Sequence, residues 1–561
     1  MLNTPLKGIP VTFGKNKIQG KAYFFCSFMI VLVVVALFLP PASAVPLKEF
    51  NIPHIEDLYC LIIKDSDAQL LALEGGQVDL LGDIARFSDI KRLGGSDKVN
   101  LYLAEGFHAF YLGFNLRKPP WDRVELRQSI WEIVNRKQIV RDIFGGYALP
   151  LFSFLPPASP YLLELSIPDS NLERAKERLK RSGWRWNERG ILIYPGQTKP
   201  LSKMKLMTPM AQVAPTTAEI AERICESMRS LGIPIETEPM DFSMMIARLD
   251  QHKFDAYVIA WGLSRDPDNL YAFYHSSMDI IGGYNISGIK APDLDEALED
   301  LKYAKDEKEA YIAAEKAQRL LYKYVPQVPV YSRYYITALQ KEWEKAVTSK
   351  YITPDNIYSF LSLEHKEDRK SFYWCLPEEP RNLNPLSATS AYDWQVLSLV
   401  YESLLGTDPF TLKDVPWLAK SWKIEAVGDD GKERTRLSFI IREGIQWQDG
   451  EPFTADDVKA TIEFIREHSI PRYFDSVKDV DDITVTGNVV AITFLERSFW
   501  YLHQIGGLPM LPAHVLSGIN DWRTLPEEQI IGTGPFAFSS YKPGEYVKLH
   551  KNELYWRRAL P

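Results

Sequence analysis

The stretch Ala256-Tyr-Val-Ile-Ala-Trp261 is a continuous apolar run without polar alternation, and it constrains the fold more than any other segment. A run of this kind reads as a strand buried on both faces, so helices must cover the sheet on either side. Amphipathic stretches elsewhere supply them. Asp67 to Gly76 reads as a helix stopped by glycine, followed by the strand Val78 to Leu81. Phe110 to Phe114 is strand-like, Val124 to Ile143 is helical up to Gly145-Gly146, and Leu172 to Arg181 is a charged amphipathic helix. Leu294 to Tyr324 is one long helical stretch closed by Pro326-Gln-Val-Pro329. Such alternation is the pattern of α/β lobes.

A charge run, Glu364-His-Lys-Glu-Asp-Arg-Lys370, interrupts the apolar pattern and reads as a surface linker within 364–371. Beyond it the chain is richer in strands: Arg436 to Arg442, Ile483 to Val485, Val489 to Phe494, Phe536 to Phe538 and Tyr546 to Leu549. Among them lies a helix, Ala455 to His468, with Thr454 as its N-cap. At 561 residues the chain exceeds one hydrophobic core, so two or three domains are expected.

The first 44 residues stand apart from this pattern. Lys7, Lys15, Lys17 and Lys21 precede an apolar run from Tyr23 to Leu39, and Pro40-Pro41-Ala42-Ser43-Ala44 follows. A basic region, an apolar core and a small-residue exit describe a secretory signal. The apolar run of 17 residues also lies at the lower limit of a membrane span, so an uncleaved anchor stays open. Either way the expected location is extracytoplasmic.

Several function classes are excluded. The net charge of −8 argues against a nucleic-acid partner. Cys60, Cys225 and Cys375 are too far apart for a Cys-x-x-Cys metal site or a disulfide framework. The nine histidines form no His-Glu-x-x-His motif, and no Gly-rich phosphate loop or Gly-x-Ser-x-Gly elbow is present. No enzyme chemistry and no cofactor are expected. The 14 Trp and 28 Tyr supply flat amphipathic rings that suit either cores or ligand clefts.

Several phrases then converge. Gly113-Phe-Asn-Leu-Arg-Lys-Pro-Pro-Trp-Asp122, Ala72-Leu-Glu-Gly-Gly-Gln-Val-Asp79 and Trp261-Gly-Leu-Ser-Arg-Asp-Pro-Asp268 resemble the family 5 extracellular solute-binding proteins. So do Pro377 to Pro385, Ile445-Gln-Trp-Gln-Asp-Gly450 with Phe453 to Val458, and Gly532-Thr-Gly-Pro-Phe536. These are the oligopeptide-, dipeptide- and nickel-binding proteins of ABC importers. The resemblance implies a two-lobed periplasmic-binding-protein type II fold of α/β class, with an additional small α+β domain. It implies a small-molecule ligand, a peptide or an oligosaccharide, held between the lobes and delivered to an ABC transporter permease. A surface receptor or sensor built on the same fold is the alternative reading.

The order of the phrases departs from the family. The second set of family phrases occupies about 50–350 here, and the first set about 372–561. A circular permutation accounts for this, as do a join of two neighbouring genes and two chains exchanging halves. On the permuted reading, one lobe comprises 45–109, 340–405 and 506–561, the second runs from 110 to 339, and the small domain from 406 to 505.

Site expectations follow from the strand and from the resemblance. Ligands in open α/β sheets sit beyond the carboxyl ends of the strands, which places Trp261, Gly262, Leu263 and Ser264 beside a cleft. Trp261 as a plug of the core is the plainer reading. Peptide binders of the family carry an Asp three residues after this Trp; Ser264 stands there, and Asp266 is the candidate substitute. Loss of that carboxylate would remove a charge-assisted bond of about 1.5–3 kcal/mol to a ligand ammonium and favour an uncharged ligand. Arg381 and Asn382 fall in the loop that resembles the family's ligand-contacting stretch. Trp447 and Asp449, before Gly450, read as hairpin chemistry, and Asn115, Arg127 and Arg136 as bracing.

Overall fold

The computed structural model describes residues 53–165, 170–212, 214–428 and 433–559. The signal or anchor expected in 1–44 lies outside them. Among the described residues no helix is long and apolar enough to cross a membrane.

A twelve-stranded mixed sheet organises the chain. Its order runs Phe536–Lys542, Tyr546–Lys551, Asp57–Ile62, Ser371–Leu376, Leu80–Leu81, Gln327–Gln340, His108–Phe114, Ala256–Gly262, Met204–Pro209 and Ile235–Met240. Val99–Glu105 and Ala148–Pro150 also pair with the long strand Gln327–Gln340. That strand changes partner along its length: Gln327 to Tyr331 pairs with His108–Phe114, and Tyr334 to Gln340 with Val99–Glu105. It therefore passes from one half of the sheet to the other, and so does the chain at Gly106-Phe107. These two crossings carry the backbone between the halves.

The buried apolar run appears as anticipated. Ala256–Ile259 is fully buried in the strand Ala256–Gly262, which pairs with His108–Phe114 on one side and Met204–Pro209 on the other. Helix Pro215–Ser230 covers this half with Ile220, Ile224 and Met228, the i, i+4, i+8 face of its amphipathic pattern. The mixed α/β class holds.

A separate four-stranded antiparallel sheet is built from Ala419–Val427, Arg434–Ile441, Val489–Phe494 and Val480–Thr486. Along Arg434–Ile441 the burial alternates, with Leu437, Phe439 and Ile441 inward. Each such side chain contributes about 1.5–3 kcal/mol of burial. Helix Ala455–Glu467 brings Val458, Ile462 and Ile465 to the core, and Asp457 accepts the Thr454 N–H at 2.7 Å to close its first turn. This is the small α+β unit expected from the sequence.

Three expectations need correction. The helix read as Val124 to Ile143 is two, Val124–Ile133 and Arg136–Phe144, because Val134 is extended and Asn135 caps the second by accepting from Gln138 N–H. The stretch Leu294 to Tyr324 also divides, into Pro292–Lys302 and Glu307–Tyr324, with Asp306 capping the second through Glu309 N–H. The charge run 364–370 is not a spacer. Glu364–His365 pairs with Trp343–Glu344, and Arg369 is spent on the buried carboxylate of Asp79.

Candidate functional site

Two sets of parallel strands place their carboxyl ends at the crossings. In one half, Asp57–Ile62, Ser371–Leu376 and Leu80–Leu81 run parallel and end at Lys64, Glu378 and Asp83. In the other, Met204–Pro209, Ile235–Met240 and Ala256–Gly262 run parallel, and the last ends where Gly262 pairs with His108. Leu263 N–H donates to the Phe107 carbonyl at 2.8 Å, and Ile84 N–H to the Ile336 carbonyl at 3.0 Å. Both sets thus meet the crossing segments, the position where an α/β sheet offers a ligand crevice.

Asp83 holds a left-handed backbone, φ 50°, two residues beyond Leu81. That conformation is uncommon for a residue with a side chain and marks special positions. Its exposed carboxylate lies 3.8 Å from the Arg333 guanidinium, which rises from the crossing strand. The His108 ring packs at 4.9 Å from that of Tyr335. Burial, then the charge of Arg333, pushes the His108 pKa down and keeps the ring neutral. Beside them a cavity of about 230 Å³ is lined by Lys64, Asp83, Glu378 and Tyr392 among others. Tyr392 is set by helix Ala391–Val400, whose N-terminus is fastened by Ser390 and Asp393 as a capping box.

The residues singled out by sequence fall into three environments. Trp261 is half-buried, tilted against Phe273 at 5.2 Å and edge-on to Tyr284 at 6.3 Å, and it packs beside Ala109, Tyr111 and Leu151. Gly262 is exposed with open space where a side chain would project, and Leu263 is half-buried. Ser264 is exposed, but its hydroxyl is engaged locally with Asp268 Oδ1 and the Asp266 backbone.

Asp266 points elsewhere. Its Oδ2 receives His503 Nδ1 at 2.9 Å, and Nε2 of the same ring reaches Asp414 Oδ2 at 2.8 Å. Arg265 completes the cluster by bonding Asp414 and donating to the Leu412 carbonyl at 2.5 Å. The two carboxylates outweigh the desolvation of the ring and hold the His503 pKa up at about 9.

Arg381 and Asn382 sit in a loop whose backbone N–H groups are gathered by Asp393 Oδ1 at 2.7 and 3.2 Å. Asn382 is used internally, donating to Ser387 Oγ at 2.7 Å, while the Arg381 side chain is exposed. No hydrogen bond or ion pair among the described residues joins either to the Trp261 segment.

The remaining motifs are structural. Arg127 donates to the carbonyls of Trp121, Tyr324 and Val325, and Arg136 to those of Trp131, Val134 and Pro329. Asn115 reaches the His252 and Phe254 carbonyls. Trp447 is fully buried in a tight hairpin, with Gly450 N–H returning to its carbonyl. At Gly532 a Cβ would lie 1.9 Å from the Val400 carbonyl oxygen, so the Gly532-Thr-Gly534 phrase is fixed by close backbone approach. Thr533 in turn donates to Glu402, a buried carboxylate that also accepts from Trp417, Tyr555 and Trp556 at 2.7–2.9 Å.

Asp83, His108, Arg333, Tyr392 and Glu402 escaped the sequence reading. Asp83 lies two residues beyond the Val78-Asp-Leu-Leu81 strand, after Gly82, which was the available signal. The others depend on register and on contacts far apart in the chain.

The oligopeptide-binding protein AppA of Bacillus subtilis is 24% identical over 266 residues, covering 46% of this chain and 47% of AppA. The peptide transport periplasmic protein SapA of Salmonella typhimurium is 31% identical over 212 residues, 33% of this chain and 37% of SapA. Among solved structures, the ABC transporter substrate-binding protein CtaP of Listeria monocytogenes matches with a TM-score of 0.46 at 22% identity, over 54% of this chain and 59% of CtaP. The chain spans about half or less of the length of the curated relatives it matches. The family model of bacterial extracellular solute-binding proteins, family 5, middle region, matches residues 49–279 and 413–561, more than half of the sequence, and the chain belongs to that family.

Proposed function

We propose that this protein captures a short peptide in the crevice at the two crossings and hands it, without chemistry, to the permease of an ABC importer. The observation that carries the reading is the convergence of both sets of parallel carboxyl ends on the two crossing segments, with Trp261 on one half and Asp83 on the other. Trp261 offers a stacking face and an N–H donor for a peptide plane. Asp266 is committed to His503, so a ligand ammonium would meet the cavity carboxylates instead, foremost Asp83, exposed and only loosely paired with Arg333. Micromolar affinity, about −8 kcal/mol, would allow release on docking. The location is extracytoplasmic, with residues 1–44 as signal or anchor.

The proposed lobes follow the sequence boundaries, 45–109 with 340–405 and 506–561 against 110–339, with 406–505 as the small domain. We read the phrase order as a circular permutation. In its support, Tyr546–Lys551 lies antiparallel to Asp57–Ile62 with Leu549 opposite Leu58, and Lys551 N–H donates to the Glu56 carbonyl at 2.8 Å. A connection from the end of that strand to the start of the next would restore the family order.

A thermal-shift screen of the chain against di- to hexapeptides, manno- and cello-oligosaccharides and nickel chelates tests the reading, because a ligand of the folded state raises the melting temperature. Peptides are expected to stabilise the wild type and to lose this effect in Asp83→Asn. Stabilisation by oligosaccharides alone, unchanged in Asp83→Asn, would transfer the site to an uncharged ligand.

A further inference from the structure

The chain segment that builds the small sheet leaves and rejoins the first half of the large sheet, after Ser371–Leu376 and before Phe536–Lys542. Yet it is fastened to the second half. The stretch Arg497–Trp500 meets the last turn of helix Pro292–Lys302 and supplies its terminal carbonyls with donors. Trp500 Nε1 donates to Leu301 O at 2.7 Å, Ser498 Oγ to Lys302 O at 2.7 Å, Arg497 Nε to Tyr303 O at 3.1 Å and Phe499 N–H to Ala304 O at 2.7 Å. The final carbonyls of a helix have no partners within it, so this strap acts as the C-terminal cap.

Three residues further on, His503 enters the charged cluster. Both ring nitrogens face carboxylate oxygens, which requires two N–H donors and therefore an imidazolium. Asp266 belongs to the second half, Asp414 to the small-sheet segment, and Arg265 spans them. Apart from His503–Asp414, which lies within the small-sheet segment, these bonds cross between parts of the chain that the backbone joins only at Gly106-Phe107 and through the strand Gln327–Gln340.

We propose that the strap Arg497–His503 is a built-in clamp that holds the two halves together before any ligand arrives. Ligand entry then requires the clamp to release. Because Asp266 follows the Trp261–Ser264 segment by two residues, its grip on His503 also fixes the aromatic wall of the crevice. The clamp acts at the crevice proposed above, but its existence is tested without a ligand.

Amide hydrogen exchange of the full chain, ligand-free, compares the wild type with His503→Gln and Trp500→Phe. The first variant removes the cation between the carboxylates; the second keeps an aromatic ring but loses the bond to Leu301 O and part of the packing on Tyr161 and His503. In the wild type, peptides covering 497–503 and 263–268 should be protected. At least tenfold faster exchange is expected in both peptides for each variant, with the strands Ala256–Gly262 and Asp57–Ile62 unchanged. Should His503→Gln lose the core protection as well, Trp500→Phe decides. Fast exchange of 497–503 in the wild type, or slow exchange in Trp500→Phe, would overturn the clamp. A clamp that behaves as expected with no hit in the ligand screen would reject the peptide reading and leave the clamp standing.

Discussion

At the residue scale, an imidazole fixed between Asp266 and Asp414 ties its own protonation to the folded state. The charged groups around it are Arg265, Asp266, Asp268 and Asp414, with Glu307 and Lys413 bordering the adjoining cavity of about 260 Å³. The pKa of His503 is raised from the ordinary 6.5 to about 9. Its contribution to stability, on the order of 3 kcal/mol, is complete below the unfolded value and lost as pH rises through the folded one. Urea midpoints of the wild type should therefore fall between pH 6.5 and 9.5 relative to His503→Gln, and parallel curves would show that the ring carries no such charge. Nothing in the sequence near His503 announces this, because its partners lie 89 and 237 positions away. Trp261 was legible for the opposite reason: it closes a run whose burial is written in consecutive residues.

At the element scale, the crossing is narrow. Gly106 sits where the chain changes halves, and a Cβ there would lie 2.7 Å from the Arg333 carbonyl oxygen. Gly106→Val should overpack this joint and cost about 1–3 kcal/mol. A urea midpoint unchanged from wild type would show that the neighbouring strand yields freely. The strands were read well from sequence, since Ala256–Gly262, Arg434–Ile441 and Val489–Phe494 carry their burial in their own pattern. Helix ends were read less well. Asn135 and Asp306 begin new helices inside amphipathic stretches whose periodicity continues on both sides, and only the cap bonds reveal the breaks. The double partnership of Gln327–Gln340 was not legible either, because pairing depends on the neighbours and not on the strand alone.

At the scale of the whole molecule, the proposed permutation predicts that the order is reversible. A variant that links residue 559 to residue 53 by a short flexible segment, and is opened within the turn at 365–368, keeps every strand register. Its melting temperature should lie within about 1 °C of the wild type, the equivalent of roughly 1 kcal/mol for a fold of this size. A broad or absent transition by calorimetry would show instead that the two stretches do not form one sheet within one chain.

The position of Asp57–Ile62 also governs the order of events during synthesis. This strand emerges among the first of the fold, yet its neighbours are Ser371–Leu376 and Tyr546–Lys551. One half of the large sheet therefore stays incomplete until the ribosome has passed residue 551, and long-range pairing of this kind is slow. Until then the waiting strand keeps an unpaired edge, the kind of surface on which a chain of this size misassembles before its last strands arrive.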